Sequence, residues 1–225
     1  MNWVWLFSIA LLAPALSAWE PGEPQQRKRP ERGRTTEQTI STPGVLTRQG
    51  RYFVEEITGS LPAAPRLRVE SAEGGIEVSG AAQQEITYRI RKRVSAGSEE
   101  SARRLLAEYA LQVRRRADLL TLTIESERGG SIYADYRVTV PKNTLAAELE
   151  TRGGEVAARD LDGTVRAVTA GGGIEADRIG GAAELETAGG SIHMGVIGGR
   201  VRASTAGGNI KLGSSGAEVE LATAG

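Results

Sequence analysis

Cysteine is missing from all 225 residues. Its absence excludes disulfide bonds, thiolate metal sites and a cysteine nucleophile, and leaves no cysteine for lipid attachment after an export signal. Aromatic residues make up only 4% of the chain and histidine occurs once, so a bulky aromatic core and a multi-histidine metal site are both excluded. Neither sign of charge prevails. With 28 basic residues against 28 acidic ones, no whole-molecule field draws the chain to nucleic acid. What the chain has in quantity is glycine, 29 residues, which suits a thin, turn-rich β structure.

Long apolar runs are also scarce. The one candidate, Trp3 to Leu16, falls short of the roughly 18 residues that argue a membrane span and is followed by the small residues Ser17 and Ala18. Residues 1–18 read as an export signal, which places the protein in the periplasm, on the cell surface or outside the cell. Met1-Asn2 carries no basic residue and Pro14 sits late in the run, so an uncleaved N-terminal anchor is the alternative. Residues 19–50, broken by Pro21, Pro24, Pro30 and Pro43, read as a disordered linker. Within it, Arg27 to Arg34 is a basic run that offers weak contact to an anionic surface; the plainer reading is a solvated tether.

Residues 51–150 alternate apolar and polar side chains. Leu67 and Val69, Ile76 and Val78, Ile86, Tyr88 and Ile90, and Leu120, Leu122 and Ile124 mark half-buried strands. One helix interrupts them at about residues 99–110. Ser98 caps it, Glu99 and Glu100 favour its N-terminal dipole, and Ala102, Leu105, Leu106 and Tyr109 form its apolar stripe. A strand begins near Leu111, turns at Ala117-Asp118 and returns through Leu120 to Ser126. The whole segment reads as a β-rich cap, with Arg103, Arg104 and Arg114 to Arg116 on its wet faces.

The strongest pattern lies in residues 151–225. Thr151, Thr169, Thr187, Thr205 and Thr223 recur every 18 residues, each opening a Thr-x-Gly-Gly or Thr-Ala-Gly signature. A fixed period of this length means one small unit stacked on copies of itself. Val156, Ile174, Ile192 and Ile210 form one inward column, and Ala158, Ala176, Met194 and Leu212 a second. Val165, Ala183, Val201 and Val219 form a third, with Ala167, Leu185, Ala203 and Leu221 two places on. Large and small residues compensate within a coil, as close packing across a narrow core requires. The corners fall at Gly153-Gly154, Gly171-Gly172, Gly189-Gly190 and Gly207-Gly208, with further pairs at 180–181 and 198–199, where positive φ or close backbone approach is needed.

A meander of antiparallel nine-residue arms is the rival arrangement. The charges argue for parallel coils: Glu148, Arg166, Glu184, Arg202 and Glu220 lie 18 apart and alternate in sign, as neighbours on adjacent coils would. Arg159-Asp160 likewise faces Asp177-Arg178 with the order reversed. The fold class is therefore all-β, a parallel β-solenoid of 18-residue coils with two strands per coil, behind a β-rich cap carrying one helix.

Chemistry is sparse. The Gly-rich half-repeats differ from calcium-binding β-rolls, because Ala176 and Met194 stand where that unit has its aspartate. His193 sits in an outward column with Ala157, Glu175 and Lys211 and lacks a second histidine or a carboxylate pair. Asp160, Asp162 and Asp177 imitate a hydrolase or lyase dyad, but cross-coil arginines and the Asp162-Gly163 turn explain them. No Gly-Lys-Ser/Thr makes a phosphate loop. After Tyr136 there is no aromatic residue, so the coils offer no stacking platform for sugars or bases. Catalytic, cofactor and metal residues are expected to be none.

Val138-Thr139-Val140-Pro141, the Thr-Ala-Gly-Gly-x-Ile repeats, Ile197 to Val201 and Glu73-Gly74-Gly75-Ile76-Glu77-Val78 resemble the DUF4097 family of bacterial β-strand-repeat proteins, labelled candidate adhesins. The resemblance spans about residues 50–225. It implies the fold and no active-site residue, since the family has no agreed catalytic activity. Family members favour Asn-Gly at the corners where this chain has Gly-Gly. The expectation is a non-catalytic exported envelope protein, adhesin-like or scaffolding, whose partner is an envelope protein or polysaccharide and not nucleic acid. A β-helix enzyme acting on cell-surface polysaccharide is the alternative, and a signalling partner of a membrane stress system is a third. Thr223-Ala224-Gly225 begins a new coil, so the expectation is either that the natural chain continues or that this edge self-associates.

Overall fold

Period-two alternation becomes strand almost everywhere in the computed structural model, which describes residues 35–40, 44–126 and 132–224. In chain order the elements are β1 (Thr35–Ile40), β2 (Val45–Gln49), β3 (Tyr52–Pro62), β4 (Arg66–Ser71), β5 (Ile76–Ala81), β6 (Glu85–Ser95), α1 (Glu99–Ala107), β7 (Tyr109–Arg116), β8 (Leu119–Ser126) and β9 (Tyr133–Pro141). The repeats follow as β10 (Ala146–Thr151), β11 (Val156–Leu161), β12 (Thr164–Thr169), β13 (Ile174–Ile179) and β14 (Ala183–Thr187). They continue as β15 (Ile192–Ile197), β16 (Val201–Thr205), β17 (Ile210–Ser215) and β18 (Val219–Thr223).

These strands form two nine-stranded sheets. The first runs β1-β7-β8-β4-β10-β12-β14-β16-β18 and the second β17-β15-β13-β11-β5-β9-β6-β3-β2. Each repeat contributes one strand to each sheet, and one contiguous apolar core runs along the molecule. Val165, Ala167, Ile174, Ala176 and Ile179 are all at most 2% exposed. Each larger side chain of this kind stabilises the fold by about 1.5–3 kcal/mol. The columns open out at the last coil, where Ile210 and Leu212 are half-buried and Val219 and Leu221 stand 42% and 45% exposed on β18.

Register in the repeats is parallel and in step. Val156 lies beside Ile174, Ile174 beside Ile192 and Ile192 beside Ile210. The parallel stack also begins earlier in the chain than the boundary expected at residue 150. Leu67 pairs with Ala147 and Leu120, and Val78 with Ala158 and Val138. Thus β4–β5 is a coil of the same stack, wedged between β8–β9 and β10–β11. Parallel neighbours need a long crossover, and the chain between β5 and β8 uses that excursion to build the antiparallel cap from β6, α1 and β7.

Two further expectations are corrected. The linker assigned to residues 19–50 ends earlier, because β1 pairs antiparallel with β7 and β2 with β3. Edge strands need pairing on only one side and little burial, so they show no apolar alternation to read. Glu37 accepts from Arg114 at 2.9 Å across the β1–β7 pair. The helix is shorter than residues 99–110: Glu108 caps it and Tyr109 already starts β7. Ser98 Oγ accepts from Ser101 N–H at 3.2 Å, while of the expected stripe Ala102 and Leu106 are buried and Leu105 is 39% exposed. A two-turn helix presents too narrow a face to bury the rest. The export segment 1–18 and the run Arg27–Arg34 lie outside the described residues.

Candidate functional site: an ionic groove across the second sheet

The corner glycines do two different jobs. A Cβ added at Gly154, Gly172, Gly190 or Gly208 would overlap the backbone of the corner one coil earlier, whereas one at Gly153 would meet nothing. At Gly171, Gly189 and Gly207 it would make only ordinary contact. Close approach, not positive φ, therefore requires the second glycine. The threonine of the signature explains the approach. Thr187 Oγ1 donates to the Gly172 carbonyl at 2.7 Å and accepts from Gly190 N–H at 3.2 Å. Thr169 and Thr205 repeat this with Gly154 and Gly172, and with Gly190 and Gly208. Thr151, Thr169, Thr187 and Thr205 are at most 4% exposed, so each buried hydroxyl is satisfied inside the stack.

The register puts Glu148, Arg166, Glu184, Arg202 and Glu220 side by side on the first sheet. Arg166 and Glu184 are 3.8 Å apart, and Arg202 and Glu220 are 2.8 Å apart. Glu148 instead receives Arg66 at 2.8 Å and Arg68 from β4. The Arg68 hydrogen bond holds its carboxyl below the ordinary range.

The aspartate pairing differs from expectation. Asp160 takes Arg178 in a two-pronged bond at 2.6 and 2.9 Å, but Asp177 contacts its own neighbour Arg178 and accepts from Val196 N–H. Asp160 and Arg178 have φ of 60° and 52°. This turns their side chains out of the simple ladder and leaves Arg159 to span Glu175 at 2.5 Å and Glu77 at 3.3 Å. The Arg178 hydrogen bond lowers the Asp160 pKa.

On the outer face of the second sheet lies a cleft of about 620 Å³. It crosses β6, β9, β5, β11, β13 and β15, and its walls include Arg89, Arg91, Asp135, Arg137, Glu155 and His193. Gly75, Gly173 and Ser191 share its lining and bring little or no side chain to fill it. One register row crosses it as Thr58, Arg89, Arg137, Glu77, Ala157, Glu175, His193 and Lys211. His193 thus stands between Glu175 and Lys211 as an outward ladder. Among the described residues no group of three or more His, Asp or Glu is placed to hold a metal ion.

At the cap end the face changes character. Arg93 lies over the Tyr133 ring at 4.0 Å and the Tyr52 ring at 5.2 Å from the centroids. Burial pushes the Tyr133 phenol up, and the Asp135 carboxylate adds to the shift. Beneath this face, Lys92 Nζ is 2.5 Å from Glu55 and donates to the carbonyls of Leu106 and Tyr109 at 3.1 and 2.9 Å. Both side chains are buried. The ion pair and these two hydrogen bonds tie the C-terminal end of α1 and the start of β7 to the β3–β6 pair. The alternation of Ile86, Tyr88 and Ile90 already implied an inward Lys92 and outward Arg89, Arg91 and Arg93. That signal is in the sequence, although periodicity alone does not show that a charge is buried with a partner.

No family model matches the chain, and no curated protein matches it. Solved structures resemble it at low identity. A candidate cell adhesion protein from Clostridium sporogenes is 10% identical with a TM-score of 0.46, over 76% of this chain and 99% of that one. A candidate adhesin from Bacteroides fragilis is 12% identical with a TM-score of 0.27, over 75% and 95%. Another from Parabacteroides merdae is 10% identical with a TM-score of 0.27, over 77% and 95%. Likeness at this level carries no inference about activity or ligand.

Proposed function

We propose that the protein is an exported, non-catalytic interaction module of the cell envelope, adhesin-like or scaffolding, and that the outer face of the second sheet is its contact surface. The observation that carries this reading is how two of the groove's carboxylates are engaged. Glu77 is held by Arg137 at 2.8 Å and Arg159 at 3.3 Å, and Glu175 by Arg159. Carboxylates held by arginines in this way are occupied by fixed ion pairs. A glycan-cleaving enzyme instead needs one carboxyl kept protonated opposite another. Asp160, which does not line the cleft, is bound by Arg178, whose hydrogen bond lowers its pKa. A long face carrying charges of both signs suits recognition of an extended partner.

Capture from an envelope extract with the full chain as bait, run beside a reducing-end assay on envelope polysaccharide, tests the reading. Recovery of a discrete envelope component without release of new sugar ends is the expected result. Steady release of sugar ends would establish the polysaccharide-cleaving alternative in its place.

A further inference from the structure

We propose that the cap end of the groove binds an acidic polysaccharide, with Arg89, Arg91 and Arg93 meeting its anionic groups; this rests on the interaction reading above and names its ligand class. The three arginines project from the same side of β6, with about 6.8 Å between successive ones. That is a linear row of cations suited to a polymer rather than to a single small anion.

Their surroundings are not those of a merely solvated face. Arg89 and Arg137 are direct cross-strand neighbours, a like-charge placement that works against the sheet. Arg91 has Glu56 and Asp135 as register partners, yet neither pairs with it. Glu56 turns to Arg89 at 3.4 Å, and Asp135 accepts from Gly75 N–H at 2.9 Å. Among the described residues Arg91 has no ionic partner, and it lines the cleft. Arg93 is held between two tyrosine rings, which fixes its planar head and lowers the cost of ordering it on binding.

The rest of the cleft selects among polyanions. Asp135, Glu155 and Glu175 share its lining with the arginines. Sugar hydroxyls can donate to those carboxylates while the acid groups lie on the arginines. A phosphodiester duplex has no such donors and would be repelled there. A lipid surface would be met by a concave, carboxylate-lined face. The acidic glycan fits both halves of the lining.

The test titrates the full chain with polygalacturonate at low salt, beside neutral dextran, duplex DNA and phosphatidylglycerol vesicles. Polygalacturonate should bind, weaken as salt rises, and exceed the other three. Arg91→Glu should weaken it by roughly tenfold or more. Arg91→Ala should give a smaller loss, with the thermal midpoint of each variant checked against the parent. Arg200→Glu, an equal charge change on an exposed coil residue, should leave binding within about twofold. Absence of polygalacturonate binding, equal loss in Arg200→Glu, or tighter binding to DNA or vesicles would each overturn the assignment. If the Arg89→Glu/Arg91→Glu protein still captures its envelope component, only the ligand assignment fails. If the parent captures none, the wider interaction reading fails.

Discussion

The cap and the coils share two sheets and one core, yet different interactions hold them in place. In the coils Thr169, Thr187 and Thr205 repeat the same solution: a buried threonine bonded to glycines of two corners, with apolar columns inside and exposed charges outside. In the cap nothing repeats. Two 11-residue antiparallel strands, β3 and β6, carry a buried ion pair, a helix tied to that pair, and the arginines and tyrosines of the proposed binding face. A repeat specifies register cheaply but makes its faces uniform. The aperiodic cap gives up that redundancy and gains a distinctive surface.

The comparison is broken most severely at its two anchors. Lys92→Met leaves Glu55 buried without its cation and frees the Leu106 carbonyl of α1 and the Tyr109 carbonyl of β7, and should destabilise by about 3–5 kcal/mol. Adding Glu55→Leu should recover a large part of that in chemical denaturation; no recovery would mean the pair does not act as a unit. In the coils, Gly172→Ala forces a Cβ into backbone that cannot swing away and should cost about 3 kcal/mol or more. Gly171→Ala, one residue earlier, should stay within about 0.5 kcal/mol. Equal losses at the two positions would refute the division of labour between the corner glycines.

Smaller effects sharpen the contrast. Thr187→Val keeps the volume but leaves the Gly172 carbonyl and Gly190 N–H without their hydroxyl partner, at about 1–3 kcal/mol. Amide exchange at Gly190 should rise more than exchange in β6. Glu148 joins the coils to β4, and its lowered pKa sets the sign of its pH effect. Its stabilisation is complete above the ordinary value of 4.5 and fades as pH falls through the lowered one. Glu148→Gln should cost about 1 kcal/mol at neutral pH and flatten the acid limb of a stability–pH curve. A wild-type acid limb would show that other carboxylates carry it. Glu184→Arg, which sets an arginine between Arg166 and Arg202, should cost less than about 1 kcal/mol. The triple variant with Arg166→Glu and Arg202→Glu should regain most of it in thermal denaturation.

Much of this architecture is written along the chain, because a parallel stack turns sequence period directly into spatial neighbourhood. The 18-residue step of Thr151 to Thr223 and the sign changes from Glu148 to Glu220 were enough to give coil length, strand number and register. Ser98 and its acidic followers were enough to place the start of α1. By itself, then, the sequence determined the fold class, the inward columns and the corners.

Only the tertiary structure decided what depends on contacts between distant segments. It placed β4–β5 between β8–β9 and β10–β11, since no local pattern encodes which coil docks against which. It made strands of Thr35–Ile40 and Val45–Gln49, whose hydrogen bonds come from partners far along the chain. It chose the second glycine of each corner, through a backbone contact one coil away. It gathered Arg91, Tyr133 and Glu155 onto one face, because a binding surface is assembled across strands while periodicity is read along them.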